Sequence, residues 1–147
     1  MTITVFNEMI GKVFDSVKVY HEDVPEHIRS YLDNTCLYFR YETLVFSSKD
    51  LIAAFFHCQD CCESVTIKDI VGDLSDLEGS PIVEAEVTID FKWNQEMAES
   101  ETYSFYKFRT QKGFVTVTWL GNSNGCYSET VRVEFFNPED IHNMSTN

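Results

Sequence analysis

The most constraining feature of the sequence is an alternation of apolar and polar residues that runs from Val83 to Trp93. Successive side chains of a β-strand point to opposite faces, so a period of two residues predicts a long strand with one apolar and one polar face. The polar face carries the acids Glu84, Glu86 and Asp90. This is the clearest strand signal in the chain, and it makes a β-rich fold the first expectation.

Further strand patterns follow at residues 103–109, 114–119 and 127–136, and short polar segments connect them. Successive strands with short connections predict an antiparallel meander. The helical patterns are few and short, and one is a predicted helical insertion near residues 23–34, where Pro25 can occupy the first turn. We therefore expect a mainly β (α+β) fold, an antiparallel β meander with a few short helices at its rim.

The length of 147 residues suits a single domain over residues 1–147, and the 14% of aromatic residues is typical of a folded chain. We expect the polar C-terminal tail from Asn137 to fray. The chain shows no secretory signal and no apolar run long enough to span a bilayer. An open meander leaves edge strands, so we also expect a homo-oligomer, a dimer or higher.

The charge is strongly acidic and unevenly distributed. The net charge of −13, from 11 basic and 24 acidic residues, argues against a general nucleic-acid binder and against adhesion to an anionic membrane. Residues 60–101 carry twelve acids and two bases, whereas residues 102–132 carry four bases and one acid. The positive segment can hold a small anion, or its bases can simply offset acids on neighbouring strands.

The positive segment also combines rings, cations and amides in the manner of a nucleotide pocket. Rings stack on a base, Lys and Arg hold phosphates, and Asn and Ser bond to sugar or base edges. The opposing interpretation is that the rings belong to the core and that the Asn-rich segment is only a turn. The candidate ligand-binding residues are Tyr103, Phe105, Lys107, Arg109, Lys112, Trp119, Asn122, Ser123, Asn124 and Tyr127.

The five cysteines are odd in number and three of them are crowded together, which does not indicate an extracellular disulfide framework and favours a reducing cytoplasm. Cys58 and Cys61 have the C-x-x-C spacing of zinc sites, and His57 and Cys62 can add ligands. Because a distant second ligand pair is missing, we expect reduced cysteines, no metal and no cofactor. We also expect no enzymatic activity, since no residue set supplies a nucleophile with its base.

Several motifs, in their order and spacing, resemble those of small phage proteins. They are FNEMIGK at 6–12, IKDIVGDL at 67–74, SFYKF at 104–108, KGFVTV at 112–117 and WLGNSNG at 119–125. Together they resemble the first Thoeris anti-defence family of bacteriophages and the wider small phage domain family around it. The resemblance implies a β-rich, non-enzymatic sponge that assembles as dimers or larger oligomers with pockets at subunit boundaries. Such a sponge sequesters the cyclic ADP-ribose isomers that TIR-domain enzymes make.

Three functional hypotheses follow. The first, implied by the resemblance, is a phage anti-defence protein that binds and sequesters a cyclic nucleotide immune signal without cleaving it, in the host bacterial cytoplasm. The second follows from the charge: an acidic phage inhibitor that mimics nucleic acid and blocks a host DNA-binding or defence protein, with Glu84, Glu86 and Asp90 starting the acidic row. The third, a small metal-dependent enzyme built on the cysteine cluster, lacks a second ligand pair and a base.

Overall fold

The computed structural model describes residues 2–36 and 39–139, and most of their regular structure is β-strand, which confirms the expected mainly β class. The tail predicted to fray lies, beyond Glu139, outside the described residues. In chain order the elements are β1 (Thr2–Val5), β2 (Ser16–Tyr20), α1 (Glu26–Thr35), β3 (Thr43–Ser47), β4 (Ile52–Phe56), β5 (Ser64–Val71), a 3₁₀ turn (Leu74–Leu77), β6 (Glu84–Asn94), β7 (Glu99–Thr110), β8 (Gly113–Ser123) and β9 (Arg132–Phe136).

The strands form two antiparallel sheets. The five-stranded sheet has the order β1-β6-β7-β8-β5, and the four-stranded sheet has the order β2-β3-β4-β9. The predicted meander is present for β6, β7 and β8, which are consecutive in the chain and adjacent in the sheet. It is wrong for the last strand, because β5 occupies the free edge of β8 and β9 pairs with β4 in the other sheet.

The main core lies between the two sheets. Leu44, Phe46 and Phe55 of the four-stranded sheet pack in one cluster with Tyr106 and Phe108 of the five-stranded sheet. The rings of Phe46 and Phe108 are 4.7 Å apart between centroids, and those of Phe55 and Tyr106 meet edge to face at 5.2 Å. Burial in this cluster raises the pKa of Tyr106, because the charged phenolate loses its hydration. The molecule is therefore a β-sandwich.

Helix α1 adds a third layer on the other face of the four-stranded sheet. Its residues Ile28 and Leu32 are buried in a second cluster with Val45, Phe56 and Phe136. All five residues of β4 are buried, since the other sheet covers one of its faces and α1 covers the other. This double burial explains the uninterrupted apolar sequence of β4. The helix expected near residues 23–34 is α1, but it covers a sheet face and does not lie at the rim.

The 3₁₀ turn connects β5 to β6 across one end of the core. The carboxylate of Asp73 accepts hydrogen bonds from the backbone N–H and the hydroxyl of Ser75, which lower the pKa of Asp73. Leu77 is fully buried, and Gly79 follows with a φ of +74°, a conformation that glycine adopts without strain. Neither α1 nor any other helical segment of the described residues has the length and apolarity needed to span a bilayer.

Candidate ligand-binding surface

Strand alternation places the predicted rings and cations of β7 on the outer face of the five-stranded sheet. Ser104, Tyr106, Phe108 and Thr110 point inward and are buried. The intervening residues point outward: Tyr103 and Phe105 are half-buried, and Lys107 and Arg109 are exposed. The expectation that these four share one strand face agrees with the structure.

A β-bulge in β5 brings a lysine to this face. The pairing of β5 with β8 shifts register between Ile67 and Asp69, so Lys68 is the extra residue. The side chain of Glu42 accepts a hydrogen bond of 2.7 Å from the backbone N–H of Ile67 beside the bulge. Bulges re-aim side chains in this way at many functional sites. The Lys68 ammonium consequently lies 5.1 Å from the ring centroid of Tyr103.

A second lysine reaches the same ring from β6, which flanks β7 on the side away from β8 and β5. Lys92 of β6 places its ammonium 5.8 Å from the ring centroid of Tyr103. The rings of Tyr103 and Phe105 are nearly parallel, 6.2 Å apart between centroids. Within residues 2–36 and 39–139, neither lysine forms an ion pair shorter than 4 Å. Two ammonium groups therefore converge on one aromatic pair, while Asp90 lies opposite Tyr103 and Glu101 lies opposite Lys92 in the register.

Asn122 completes what we call the Tyr103 surface, defined by Lys68, Lys92, Tyr103, Phe105 and Asn122. In the pairing of β7 with β8, Leu120 lies opposite Tyr103 and Asn122 lies opposite Glu101. Residues two apart on a strand share a face, so the Asn122 amide lies diagonally across from Tyr103. Sequence reasoning missed both lysines, because only the strand register and the bulge bring them to Tyr103.

The remaining cations of the positive segment lie farther along the sheet. Lys107 and Arg109 are about 13 and 20 Å from Tyr103 at the usual rise per strand residue. The Arg109 Nε donates to a carboxylate oxygen of Glu84 at 3.1 Å, and both groups are exposed. The Lys112 ammonium donates to the backbone carbonyl of Glu78 at 2.6 Å. Arg109 and Lys112 are therefore engaged with protein atoms away from the Tyr103 surface.

Four other predicted ligand residues are not at this surface. Trp119 points into the main core and is 1% exposed, so it cannot stack on a ligand at the outer face. Ser123 also points inward, where it hydrogen bonds to the buried carboxylate of Glu129. Asn124 and Tyr127 belong to the loop after β8, and the Asn124 side chain accepts a hydrogen bond from the Cys126 backbone N–H.

The acidic row predicted on β6 is interrupted by positive charge. Glu84 lies opposite Arg109 in the register and pairs with it, and Glu86 lies opposite Lys107. Asp90 lies opposite Tyr103, the ring on which Lys68 and Lys92 converge. Charges of both signs therefore alternate across this face.

Four of the five cysteines are not reduced, which corrects the prediction from the sequence, whereas Cys126 is free and exposed. Cys36 at the end of α1 forms a disulfide with Cys58 after β4, and Cys61 forms one with its neighbour Cys62. The packing of α1 on the sheet brings Cys36 and Cys58 together, which sequence spacing could not reveal. Disulfides are rare in a reducing cytoplasm, so the pairing does not favour the expected location. Among the described residues no group of three or more His, Cys, Asp or Glu side chains is arranged to hold a metal ion.

His57, a weak metal candidate, belongs to a buried polar cluster. Its Nδ1 contacts the Thr130 carbonyl at 2.7 Å, and its Nε2 contacts a carboxylate oxygen of Glu63 at 2.8 Å. Burial alone raises the pKa of Glu63, but hydrogen bonds from the backbone N–H groups of Asp60 and Cys61 and from His57 outweigh it and lower the pKa to about 2. The cluster has the character of a structural brace between β4 and the segment before β9.

Comparisons with known proteins place the chain in one family. No curated protein and no solved structure matches it. The model of one domain family, described as a domain of unknown function (DUF7448), matches residues 7–133, and this range includes every residue of the Tyr103 surface. Because the match extends over most of the sequence and over both sheets of the sandwich, the chain belongs to the DUF7448 family.

Proposed function

We propose that this protein binds a small anionic ligand of the nucleotide class at the Tyr103 surface and leaves it chemically intact. The observation that carries the proposal is the convergence of the Lys68 and Lys92 ammonium groups on the ring of Tyr103. Phosphate oxygens can accept hydrogen bonds from both ammonium groups while a base stacks on the neighbouring rings. The Asn122 amide offers both a donor and an acceptor to a base edge or a sugar.

The resemblance to the first Thoeris anti-defence family narrows the ligand to a cyclic ADP-ribose isomer. In this proposal the protein is a phage sponge that withholds the immune signal from its host effector. The Tyr103 surface offers lysines, rings and an amide, but no nucleophile paired with a general base. This composition suits sequestration better than hydrolysis.

The nucleic-acid mimic receives less support from the same face. A mimic of a phosphate backbone needs negative charges that repeat without interruption. Here Glu84 is paired with Arg109, and Glu86 lies opposite Lys107. The alternation of signs favours a face that holds a small ligand over one that imitates DNA.

Calorimetric titration with cyclic ADP-ribose isomers, ADP-ribose and ATP tests the proposal. The double variant Lys68→Ala/Lys92→Ala should weaken binding at least tenfold to a hundredfold, since one charged hydrogen bond contributes about 1.5–3 kcal/mol. Lys49→Ala is the matched control, because Lys49 is an exposed lysine of the four-stranded sheet's β3–β4 turn. We expect Lys107→Ala to have a smaller effect than the double variant, and Arg109→Ala the smallest.

Three outcomes would contradict the proposal. The first is the absence of binding for every nucleotide in the panel, and the second is an equal loss of affinity in Lys49→Ala. The third is a hydrolysed product, found by chromatography of the released ligand, because such a product would make the protein an enzyme. Loss of anti-defence activity in Glu86→Gln with an unaffected lysine double variant would support the nucleic-acid mimic instead.

A further inference from the structure

Glu42, which immediately precedes β3 of the four-stranded sheet, reaches across to the edge of the five-stranded sheet. Its side chain is only 15% exposed, and its Oε1 accepts a hydrogen bond of 2.7 Å from the backbone N–H of Ile67 in β5. The two residues are 25 positions apart in the sequence. The hydrogen bond links the two sheets at the start of the β5 bulge, where Lys68 is the extra residue between Ile67 and Asp69.

The place of β5 in its sheet explains why the bulge needs this acceptor. β5 is the last strand in the order of the five-stranded sheet. Backbone N–H groups on the free side of an edge strand have no strand to bond to, and a bulge interrupts the ladder on the paired side as well. The Glu42 carboxylate takes the place of a strand partner for Ile67. Without it, the half-buried N–H would lose its acceptor, and the bulge would shift to regain one.

Lys68 is sensitive to such a shift because it reaches a long way. Tyr103 belongs to β7, and β8 lies between β7 and β5. Neighbouring strands are about 4.8 Å apart, so the Lys68 side chain crosses about 10 Å to bring its ammonium within 5.1 Å of the Tyr103 ring centroid. A small rotation of the backbone at the bulge therefore moves the ammonium away from the ring. Lys92 is not exposed to this effect, because it lies on the neighbouring strand β6 in an unbroken register.

We infer that Glu42 is a positioning residue of the nucleotide site: it holds the bulge of β5 in the conformation that directs Lys68 to Tyr103. Glu42 acts through Lys68 and not through contact with the ligand. The inference rests on the proposed function for its effect on binding, whereas the placement of Lys68 can be measured without any ligand. The role of Glu42 requires an acceptor oxygen at the right reach, and it does not require a negative charge.

Two substitutions separate reach from charge. Glu42→Asp keeps the charge but is one methylene shorter, so its carboxylate falls short of the Ile67 N–H, whereas Glu42→Gln keeps an acceptor oxygen at the original reach. Nuclear magnetic resonance measures the ring-current shift that Tyr103 imposes on the methylene beside the Lys68 ammonium. We expect Glu42→Asp to lose at least half of this shift and Glu42→Gln to keep it, while the Lys92 methylene keeps its shift in both. An unchanged Lys68 shift in Glu42→Asp would overturn the inference.

His21→Ala is the matched control. The His21 Nδ1 lies 3.9 Å from the other carboxylate oxygen of Glu42, and its side chain is 74% exposed. This substitution should leave the Lys68 shift unchanged, and a loss equal to that of Glu42→Asp would contradict a role for the Ile67 hydrogen bond. The native protein offers a check that depends on no variant. The Ile67 N–H should exchange with deuterium at least tenfold more slowly than in an unstructured peptide, and unprotected exchange would refute the hydrogen bond.

Calorimetric titration with cyclic ADP-ribose connects the position of Lys68 to binding. Glu42→Asp should weaken binding about tenfold, as Lys68→Ala should, and the two changes together should cost no more than Lys68→Ala alone. Combined with Lys92→Ala, Glu42→Asp should still cost its full factor. An unchanged affinity in Glu42→Asp would overturn its role in binding. If the native protein binds no nucleotide while the resonance shifts behave as expected, the proposed function fails and the positioning of Lys68 by Glu42 is confirmed.

Discussion

The outer face of the four-stranded sheet is covered by α1, whereas the outer face of the five-stranded sheet carries charged and half-buried side chains. Phe56 lies on the first face and is fully buried beneath the helix and two arginines. Phe105 lies on the second face and stays half-buried beside Tyr103. Both outer faces carry aromatic rings, but only one of them is covered. Whether a ring on a strand joins the core or stays at the surface therefore depends on what covers its sheet.

The prediction with the largest expected effect compares the loss of a phenylalanine ring on the covered face with the same loss on the uncovered face. Phe56→Ala should lower the free energy of unfolding by about 3–5 kcal/mol, because it leaves a cavity between α1 and the sheet. Phe105→Ala should cost about 1 kcal/mol, because only part of its ring surface is removed from water. Urea denaturation of the two variants beside the native protein measures both values. Equal losses would show that the two faces are covered to the same degree.

The second prediction concerns Glu63, which belongs to the buried polar cluster with His57 next to β4 of the four-stranded sheet that α1 covers. Its pKa of about 2 lies below the ordinary value of 4.5, so the unfolded chain binds more protons between these pH values. Folding stability from this carboxylate is therefore full above pH 4.5 and declines as the pH falls toward 2. The amount lost is up to about 3 kcal/mol.

Urea denaturation at several pH values between 2 and 7 measures this loss. Glu63→Gln should be less stable than the native protein at pH 7, and the gap should close as the pH falls through the same range. Glu8→Gln is the control, because this carboxylate is exposed and its substitution should change stability by less than about 0.5 kcal/mol. A constant gap across the range would show that Glu63 acts through packing and not through its charge.

The prediction with the smallest expected effect on folding concerns the five-stranded sheet, where we expect a second copy of the chain to bind. Phe91 and Trp93 are 61% and 48% exposed at the end of the β6–β7 hairpin, beyond the reach of the four-stranded sheet. Strand β1 pairs with β6 only between Glu86 and Ile89, so among the described residues the edge from Asp90 to Asn94 faces no further strand. Exposed rings beside an unpaired edge are typical of an interface.

Light scattering at micromolar concentrations should find a dimer or larger oligomer. The substitution Phe91→Asp should raise the dissociation constant of this oligomer at least tenfold. Phe114→Asp is a matched control, since Phe114 is also 61% exposed but lies at the β7–β8 turn. Both variants should unfold within about 0.5 kcal/mol of the native protein when compared as monomers. A native protein that is monomeric at every concentration, or equal effects of the two variants, would contradict an interface at this edge.

The alternation of residues was sufficient to predict the long strands and the outward face of β7. The strand predictions for Val83 to Trp93 and for residues 103–109 are confirmed, because a period of two fixes which side chains share a face. The pattern could not predict how far burial extends. Val87 is buried while Phe91 and Trp93 on the same face are exposed, because the opposing sheet covers only part of the hairpin.

Sequence by itself thus determined the β-rich class, the helix after Pro25 and the strand face that carries Tyr103 and Phe105, since these depend on residues close together in the chain. Only the tertiary structure decided which sheet β9 joins, that Cys36 meets Cys58 and that Lys68 and Lys92 reach the ring of Tyr103. These features depend on the register and layering of segments distant in sequence. Local periodicity contains no information about such pairings, because it is the same for every register that keeps the apolar faces inward.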